Sequence, residues 1–243
     1  MSKPTKHPSA KPLKVVTYNI HKGFSQFNQN MVVHELRKQL RSLDADIVFL
    51  QEVQGMHSKH AKNIHNWPER PQQDFLAEDV WHSTAYGRNV MYDHGHHGNA
   101  ILSRFHIEHS HNQDATHLRF ERRGLLHCSI KIPGLEKPTH CVSVHLSLFA
   151  HSRRKQLDAL AGYLEDIAEP DSPLVIAGDF NDWRNEAENL LARRLDLVEA
   201  FGGTHDSPAS PGRSFPAKLP VLRLDRIYVR GFSVTNAEIH FGD

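Results

Sequence analysis

Asp179, Asn181 and Asp182 stand close together in the stretch VIAGDFNDW, directly after an apolar, strand-like run. Side chains alternate along a strand, so Val175, Ala177, Asp179 and Asn181 share a face if the strand runs on to Asn181. A carboxylate and an amide then end an apolar row, a costly placement unless something pairs with them. Asp182 faces elsewhere and suits the N-cap of a following helix. Taken alone, the stretch reads better as a turn, because Gly, Asp and Asn favour strand ends.

The same design recurs elsewhere. In VVTYNIHKG, Val15, Thr17 and Asn19 share a face that ends on an amide; in ADIVFLQEV, Val48, Leu50 and Glu52 share one that ends on a carboxylate. VSVHLSL sets Ser143, His145 and Ser147 opposite Val142, Val144, Leu146 and Leu148, and LRLDRIYV carries Asp225 at the start of an apolar run. Ligands in α/β folds gather at strand ends. Carboxylate and amide oxygens there suit a hard cation such as Mg²⁺ or Mn²⁺, and the lack of thiolates disfavours zinc or an iron–sulfur cluster. The recurrence points to metal or phosphate chemistry.

Short runs rich in Val, Ile and Leu must position these groups. Strands are predicted at 13–20, 45–53, 98–104, 125–132, 140–148, 174–180, 224–231 and 233–241. Helical periodicity appears at Val33, Leu36, Leu40 and Leu43, at Leu157, Leu160, Ala161 and Leu164, and at Ala187, Leu190, Leu191 and Leu195. These stripes read as core faces. Strand–helix alternation gives way to consecutive strands between 98 and 148, which suggests mixed sheets packed face to face with helices outside. The Gly/Pro/Ser-rich segment 202–220 is a long loop, either mobile or lining a site.

Composition narrows the partners. The chain has 243 residues, with 29 Lys and Arg against 28 Asp and Glu, a net charge of +1. That balance argues against a broad electrostatic grip on nucleic acid or anionic membrane and leaves room for a local basic patch. Cys128 and Cys141 cannot make a disulfide framework and read as buried small hydrophobes in a reducing compartment. No apolar run reaches membrane-spanning length, and residues 1–12 read as a disordered tail without a signal-peptide core. A soluble, cytoplasmic protein with no obligate protein partner is expected. The HGHH run at 94–97 lacks metal-ligand spacing and reads as a His-rich polar loop.

The motifs TYNIHKG, DIVFLQEV, GNAILSR, SVHLSL, GDFND and LDRIYV, in this order, resemble those of the endonuclease/exonuclease/phosphatase superfamily, from about Leu13 to Val229. The resemblance implies an α/β (α+β) fold: a DNase I-like four-layer sandwich of two packed mixed β-sheets flanked by helices, here residues 13–243. It also implies Mg²⁺-dependent (or Mn²⁺-dependent) hydrolysis of phosphate esters. Glu52 would be the principal metal ligand, with Asn19 beside it holding the metal or its water. Asp179 would be the general base or orienter of water, Asn181 would hydrogen-bond the phosphate, and His145 would contact the phosphoryl oxygens. Asp225 resembles the carboxylate that pairs with a catalytic histidine. That histidine sits in a terminal SDH motif in the family, whereas this chain ends in AEIHFGD, so the last strand is expected to be missing, with most catalytic power lost and a sheet edge exposed.

Arg88, Asn99, Arg122 and Arg123 lie in or near motif loops and are candidate phosphate contacts, while RRK at 153–155 reads as an exposed turn. Arg213, Lys218, Arg223, Arg226 and Arg230 give the late segment a basic bias that fits an anionic substrate. Trp67, Trp81 and Tyr86 read as packing residues. The leading expectation is a phosphodiesterase acting on nucleic acid, a phospholipid headgroup or a small phosphodiester. The alternatives are a DNA or RNA endonuclease or exonuclease using the same site, and a catalytically degenerate binding protein on this scaffold.

Overall fold

The computed structural model describes residues 11–25, 30–202 and 224–240. Two mixed sheets carry the molecule. The four-stranded sheet orders β1 (Val15–Asn19), β2 (Ile47–His57), β4 (Gly95–Ser103) and β3 (Ser83–Tyr92), with β1 and β2 parallel. The six-stranded sheet orders β5 (His106–Asp114), β6 (Gly124–Lys131), β7 (Thr139–His145), β8 (Leu174–Asp179), β10 (Asp225–Arg230) and β9 (Val198–Glu199), with β7 and β8 parallel.

Alternation along the strands builds three apolar layers. Ile47 and Phe49 of β2 meet Leu126, Cys128, Cys141, Val175 and Ala177 between the sheets. Val48 and Leu50 face outward onto α1 (Val33–Ser42) and α3 (Gln72–Ala77). Leu174 and Ile176 face the other way, onto Leu157, Leu160, Ala161 and Leu164 of α4 (Ala150–Ile167). The helical stripes at 33–43 and 157–164 are therefore core faces, and the stripe at 187–195 packs from a π-helical turn, Glu188–Ala192. A short α2 (Ser58–Asn63) follows β2. The architecture is the flanked two-sheet sandwich expected from the sequence.

Several local expectations are corrected. β3 and β5 carry no apolar alternation that the sequence could advertise: HIEHSHNQD is largely exposed at a sheet edge and becomes a strand only by backbone pairing with β6. The HGHH run is not a loop, because Gly95, His96 and His97 open β4. The strand expected at 140–148 stops at His145, leaving Leu148 exposed. The strand expected at 233–241 does not form over 233–240; Phe232 and Val234 pack on the inter-sheet core without ladder pairing. The Gly/Pro/Ser-rich loop over 203–220 and most of the expected N-terminal tail lie outside the described residues. Cys128 and Cys141 are free, buried and paired in register across β6 and β7, and burial raises both thiol pKa values.

One buried histidine ties the outer face of the six-stranded sheet to α4. His127 Nδ1 lies 3.1 Å from the Tyr163 hydroxyl, and its Nε2 lies 3.0 Å from His140 Nδ1. Neutral imidazole suits this chain, accepting from Tyr163 at one nitrogen and donating to His140 from the other. Burial, with the charges of His140 and His111, lowers its pKa to about 4. A depressed histidine pKa means the unfolded chain binds the proton first, so stability rises with pH between the two values. His127 imposes no penalty above about pH 6.5 and a growing one as pH falls towards 4, up to about 3 kcal/mol. His127→Gln should therefore flatten the pH dependence of urea-unfolding free energy across this window. An unchanged slope would exclude His127 as its source.

Candidate active site

Register alone assembles half the site. His145 at the end of β7 pairs with Asp179 at the end of β8, and Asp225 at the start of β10 pairs with Asp179 from the other side. Gly178 makes this possible: its φ of +148° and close approach leave a Cβ only 1.9 Å from the Val144 carbonyl oxygen, so no side chain fits beneath the row. Asp179 then turns the chain, its Oδ1 accepting from Asn181 N at 3.0 Å.

The other half comes from the facing sheet. Simple alternation would place Glu52 on the helix-facing side with Val48 and Leu50, contrary to any role beside Asp179. A bulge between Leu50 and Val53 breaks that alternation, and Glu52 adopts φ of +55°. Gln51 still points between the sheets, to Thr17 and Ser143. Glu52 now points the same way, with Oε1 3.4 Å from Asn19 Nδ2. Asn19 Nδ2 also lies 3.5 Å from Asp179 Oδ2, so one amide bridges carboxylates from the two sheets. His21, Lys22 and Asn181 likewise have positive φ, at 46°, 61° and 49°. Glu52 and Lys22 are the less common occupants of this region, and backbone strain at such residues accompanies functional sites.

The electrostatics separate the two carboxyls. Burial opposes ionisation of Glu52, yet the charges of Lys22 and His21 and the Asn19 hydrogen bond outweigh it, and the pKa falls below the ordinary value. Burial and then the Asp225 charge push Asp179 the other way. Burial and Arg123 lower His145, keeping its imidazole neutral 3.8 Å from Asp179 Oδ2. Opposite shifts on neighbouring acids mark groups suited to different roles.

Of the candidates inferred from sequence, Asn19, Glu52, His145, Asp179 and Asp225 converge, and Asn181 joins them through Nδ2 to the Leu146 carbonyl at 2.9 Å. Arg123 reaches the same carbonyl at 3.3 Å and pairs with Glu121 at 3.1 Å. Asn99 is buried, and its amide donates to the carbonyls of Gly124 and Ser143, which ties β4 to the opposite sheet. Arg88 is exposed on β3, where its charge acts on Tyr86 and His96. The basic bias of the late segment is not a substrate surface at Arg226, which is buried against Asp182, Asn185 and Glu199, or at Arg230, which donates to three backbone carbonyls. Arg213, Lys218 and Arg223 lie outside the described residues. His240 stands beside Glu238 at 3.4 Å and does not join the cluster.

Sequence reasoning missed Lys22, whose Nζ is 3.4 Å from Glu52 Oε2, although it sits inside the quoted TYNIHKG motif. It also missed His97, whose pKa burial and Lys22 depress while Glu52 opposes.

Among the described residues no three His, Cys, Asp or Glu side chains gather at metal-ligand spacing. The donor set offered is one ionised carboxylate, Glu52, beside the Asn19 amide, whose Oδ1 also accepts from His21 N at 3.1 Å. Hard oxygen donors of this kind, with a flexible lysine already supplying positive charge at Glu52, fit a divalent cation that completes its shell with water and substrate oxygens.

Comparison with known proteins agrees with the geometry. The model of the Endonuclease/Exonuclease/phosphatase family matches residues 16–240. The Escherichia coli K12 protein described as uncharacterized protein YbhP is 46% identical over 222 residues, covering 91% of this chain and 86% of that one. The human Nocturnin catalytic domain with bound sulfate superposes with a TM-score of 0.66 at 19% identity, covering 90% of this chain and 82% of that one. A mannosyl-6-phosphatase of Bacteroides thetaiotaomicron gives 0.66 at 15% identity, covering 90% and 85%. Members of the family generally use divalent metals and act as phosphoesterase-type hydrolases. With the two-sheet sandwich and its strand-end site in place, the chain belongs to the endonuclease/exonuclease/phosphatase family.

Proposed function

We propose that this chain is a phosphodiesterase that uses Mg²⁺, with Mn²⁺ as a substitute, to direct water onto phosphorus. The observation that carries the reading is the Asn19 amide spanning an ionised Glu52 and an Asp179 whose pKa is raised. Glu52, with Asn19 holding the ion or its water, would bind a cation that neutralises charge on the phosphate and the departing oxygen. Asp179, poised near neutrality by burial and Asp225, accepts the proton of the attacking water as the phosphorus–oxygen bond to the leaving group breaks. Neutral His145 donates a hydrogen bond to a phosphoryl oxygen where charge builds. Asn181 commits one N–H to Leu146 and offers the other to phosphate. Its backbone N–H meanwhile fixes the Asp179 carboxyl. Arg123 adds positive charge that acts on both His145 and Asp179.

The sulfate held by Nocturnin and the phosphatase activity in the name of the Bacteroides protein support a tetrahedral anion as the ligand of this scaffold. No helix among the described residues is long and apolar enough to cross a membrane. The two free cysteines support a reducing, cytoplasmic setting.

The protein should hydrolyse bis-p-nitrophenyl phosphate with Mg²⁺ and stop with EDTA. Asp179→Asn should lower kcat by about 10² to 10⁴, the usual contribution of a positioned base. A variant retaining the parental rate would remove Asp179 from the chemistry.

A further inference from the structure

We infer that the rim beside this site docks on an anionic phospholipid surface, which makes a lipid headgroup the phosphodiester it presents to the strand-end carboxylates. The choice of substrate rests on the phosphodiesterase reading; the docking surface does not.

Phe120, Leu148, Phe149 and Trp183 are exposed by 78%, 54%, 51% and 45%. They belong to one ridge. The Phe120 and Phe149 rings meet edge to face at 6.0 Å, and the Arg153 guanidinium lies 4.9 Å from the Trp183 ring centre. The ridge is fixed rather than loose: Glu121 accepts from Ser147 Oγ and from Leu148 N, while Arg153 donates to the carbonyls of Ser147 and Leu148, each at 3.2 Å. It is continuous with the site, because Arg123 and Asn181 both bond to the Leu146 carbonyl one residue after His145. Clustered apolar exposure of this kind marks an interaction surface.

Charge selects the partner. Every carboxylate in segments 117–123, 146–155 and 181–186 is turned inward and ion-paired: Glu121 with Arg123, Asp182 with Arg153, and Glu186 with Arg153 and Arg154. Arg119, Arg122, Lys155 and Arg184 remain exposed on the same segments. A chain of net charge +1 thus shows a basic border around apolar tips here. Aromatic and leucine tips that enter the acyl boundary, with cations at headgroup level, are the pattern of interfacial binding. A nucleic-acid surface stacks bases on aromatic faces along a groove. Leu148 has no such face, and Phe120 projects almost fully into solvent.

The test uses vesicles of phosphatidylcholine alone and of equal parts phosphatidylcholine and phosphatidylglycerol, with co-sedimentation of the full chain. Binding should favour the anionic vesicles and weaken with salt. Phe120→Ser with Leu148→Ser should lower partitioning about ten-fold or more, from the apolar surface left in water. Arg119→Glu with Arg184→Glu should lower it by a similar factor, at about five-fold for each cation lost. Both pairs should leave hydrolysis of bis-p-nitrophenyl phosphate unchanged, which shows that the fold is intact. Absence of vesicle binding, or binding indifferent to both pairs, overturns the proposal. So does loss, in the same variants, of single-stranded DNA binding or of self-association in place of vesicle binding. Vesicle binding without hydrolysis of any phosphoester would sustain the docking surface and defeat the phosphodiesterase reading.

Discussion

Glu52→Gln is expected to lower phosphodiester hydrolysis about 10³-fold or more while leaving the protein folded. The substitution keeps shape and removes only the charge, and that charge is what the surroundings maintain against burial. Neutralising charge on a phosphate and its leaving oxygen is worth several kcal/mol, at about 1.4 kcal/mol for each factor of ten. The ion pair with Lys22, at 3.4 Å between side chains 34% and 21% exposed, contributes little to stability, so melting without metal should shift only slightly. Metal adds a second signature. A ligand that binds only the folded state stabilises it, so Mg²⁺ should raise the melting temperature of the parent protein and not that of the variant. If Glu52→Gln hydrolysed substrate at the parental rate, or still gained stability from Mg²⁺, the metal would have to sit elsewhere.

Arg153→Met should cost about 3–5 kcal/mol of folding stability, the expected penalty for removing one partner of a buried charge pair. Arg153 is the largest fully buried side chain among the described residues, enclosed with Asp182 and beside a nearly buried Glu186. Its Nη1 binds the carbonyls of Ser147 and Leu148, and its Nη2 lies 3.4 Å from Glu186 Oε2. Methionine fills the volume but takes the guanidinium from beside buried Asp182, which keeps the Ala187 N–H and Arg226 at 4.0 Å, and leaves two carbonyls without that donor, while Glu186 retains Arg154. For a domain of this length the loss corresponds to a melting temperature lower by roughly 10 °C. Arg153→Lys should not rescue fully, because one ammonium cannot reproduce the planar fork that spans Glu186 and both carbonyls. Urea unfolding gives the measurement, and a loss below about 1 kcal/mol would show that the carboxylates find other partners. The loop held here follows His145 directly, so a destabilised variant should also lose turnover before it unfolds.

How much of this was legible can be judged residue by residue. RRK at 153–155 reads in sequence as an exposed turn, because three adjacent cations are normally solvated. Arg153 is buried only because Asp182 and Glu186 arrive from a segment about thirty residues away, which no local pattern reports. The edge strand β5 escaped for a related reason. Its nine residues, HIEHSHNQD, carry no apolar face, and their conformation is dictated by a partner strand.

Glu52 shows the boundary most clearly. Alternation identified an apolar run closing on a carboxylate, yet strict alternation would have aimed that carboxylate at the helices; the bulge after Leu50 turned it inward. Sequence by itself determined the core stripes, seven of the strands and the polar residues that end several of them, because side-chain periodicity and burial are local properties of a chain. Only the tertiary structure decided which of those residues share a site. Strand register set His145, Asp179 and Asp225 in a row, and sheet packing brought Asn19 and Glu52 across to meet them. Distances between residues 160 positions apart follow from how layers pack, and no periodicity encodes them.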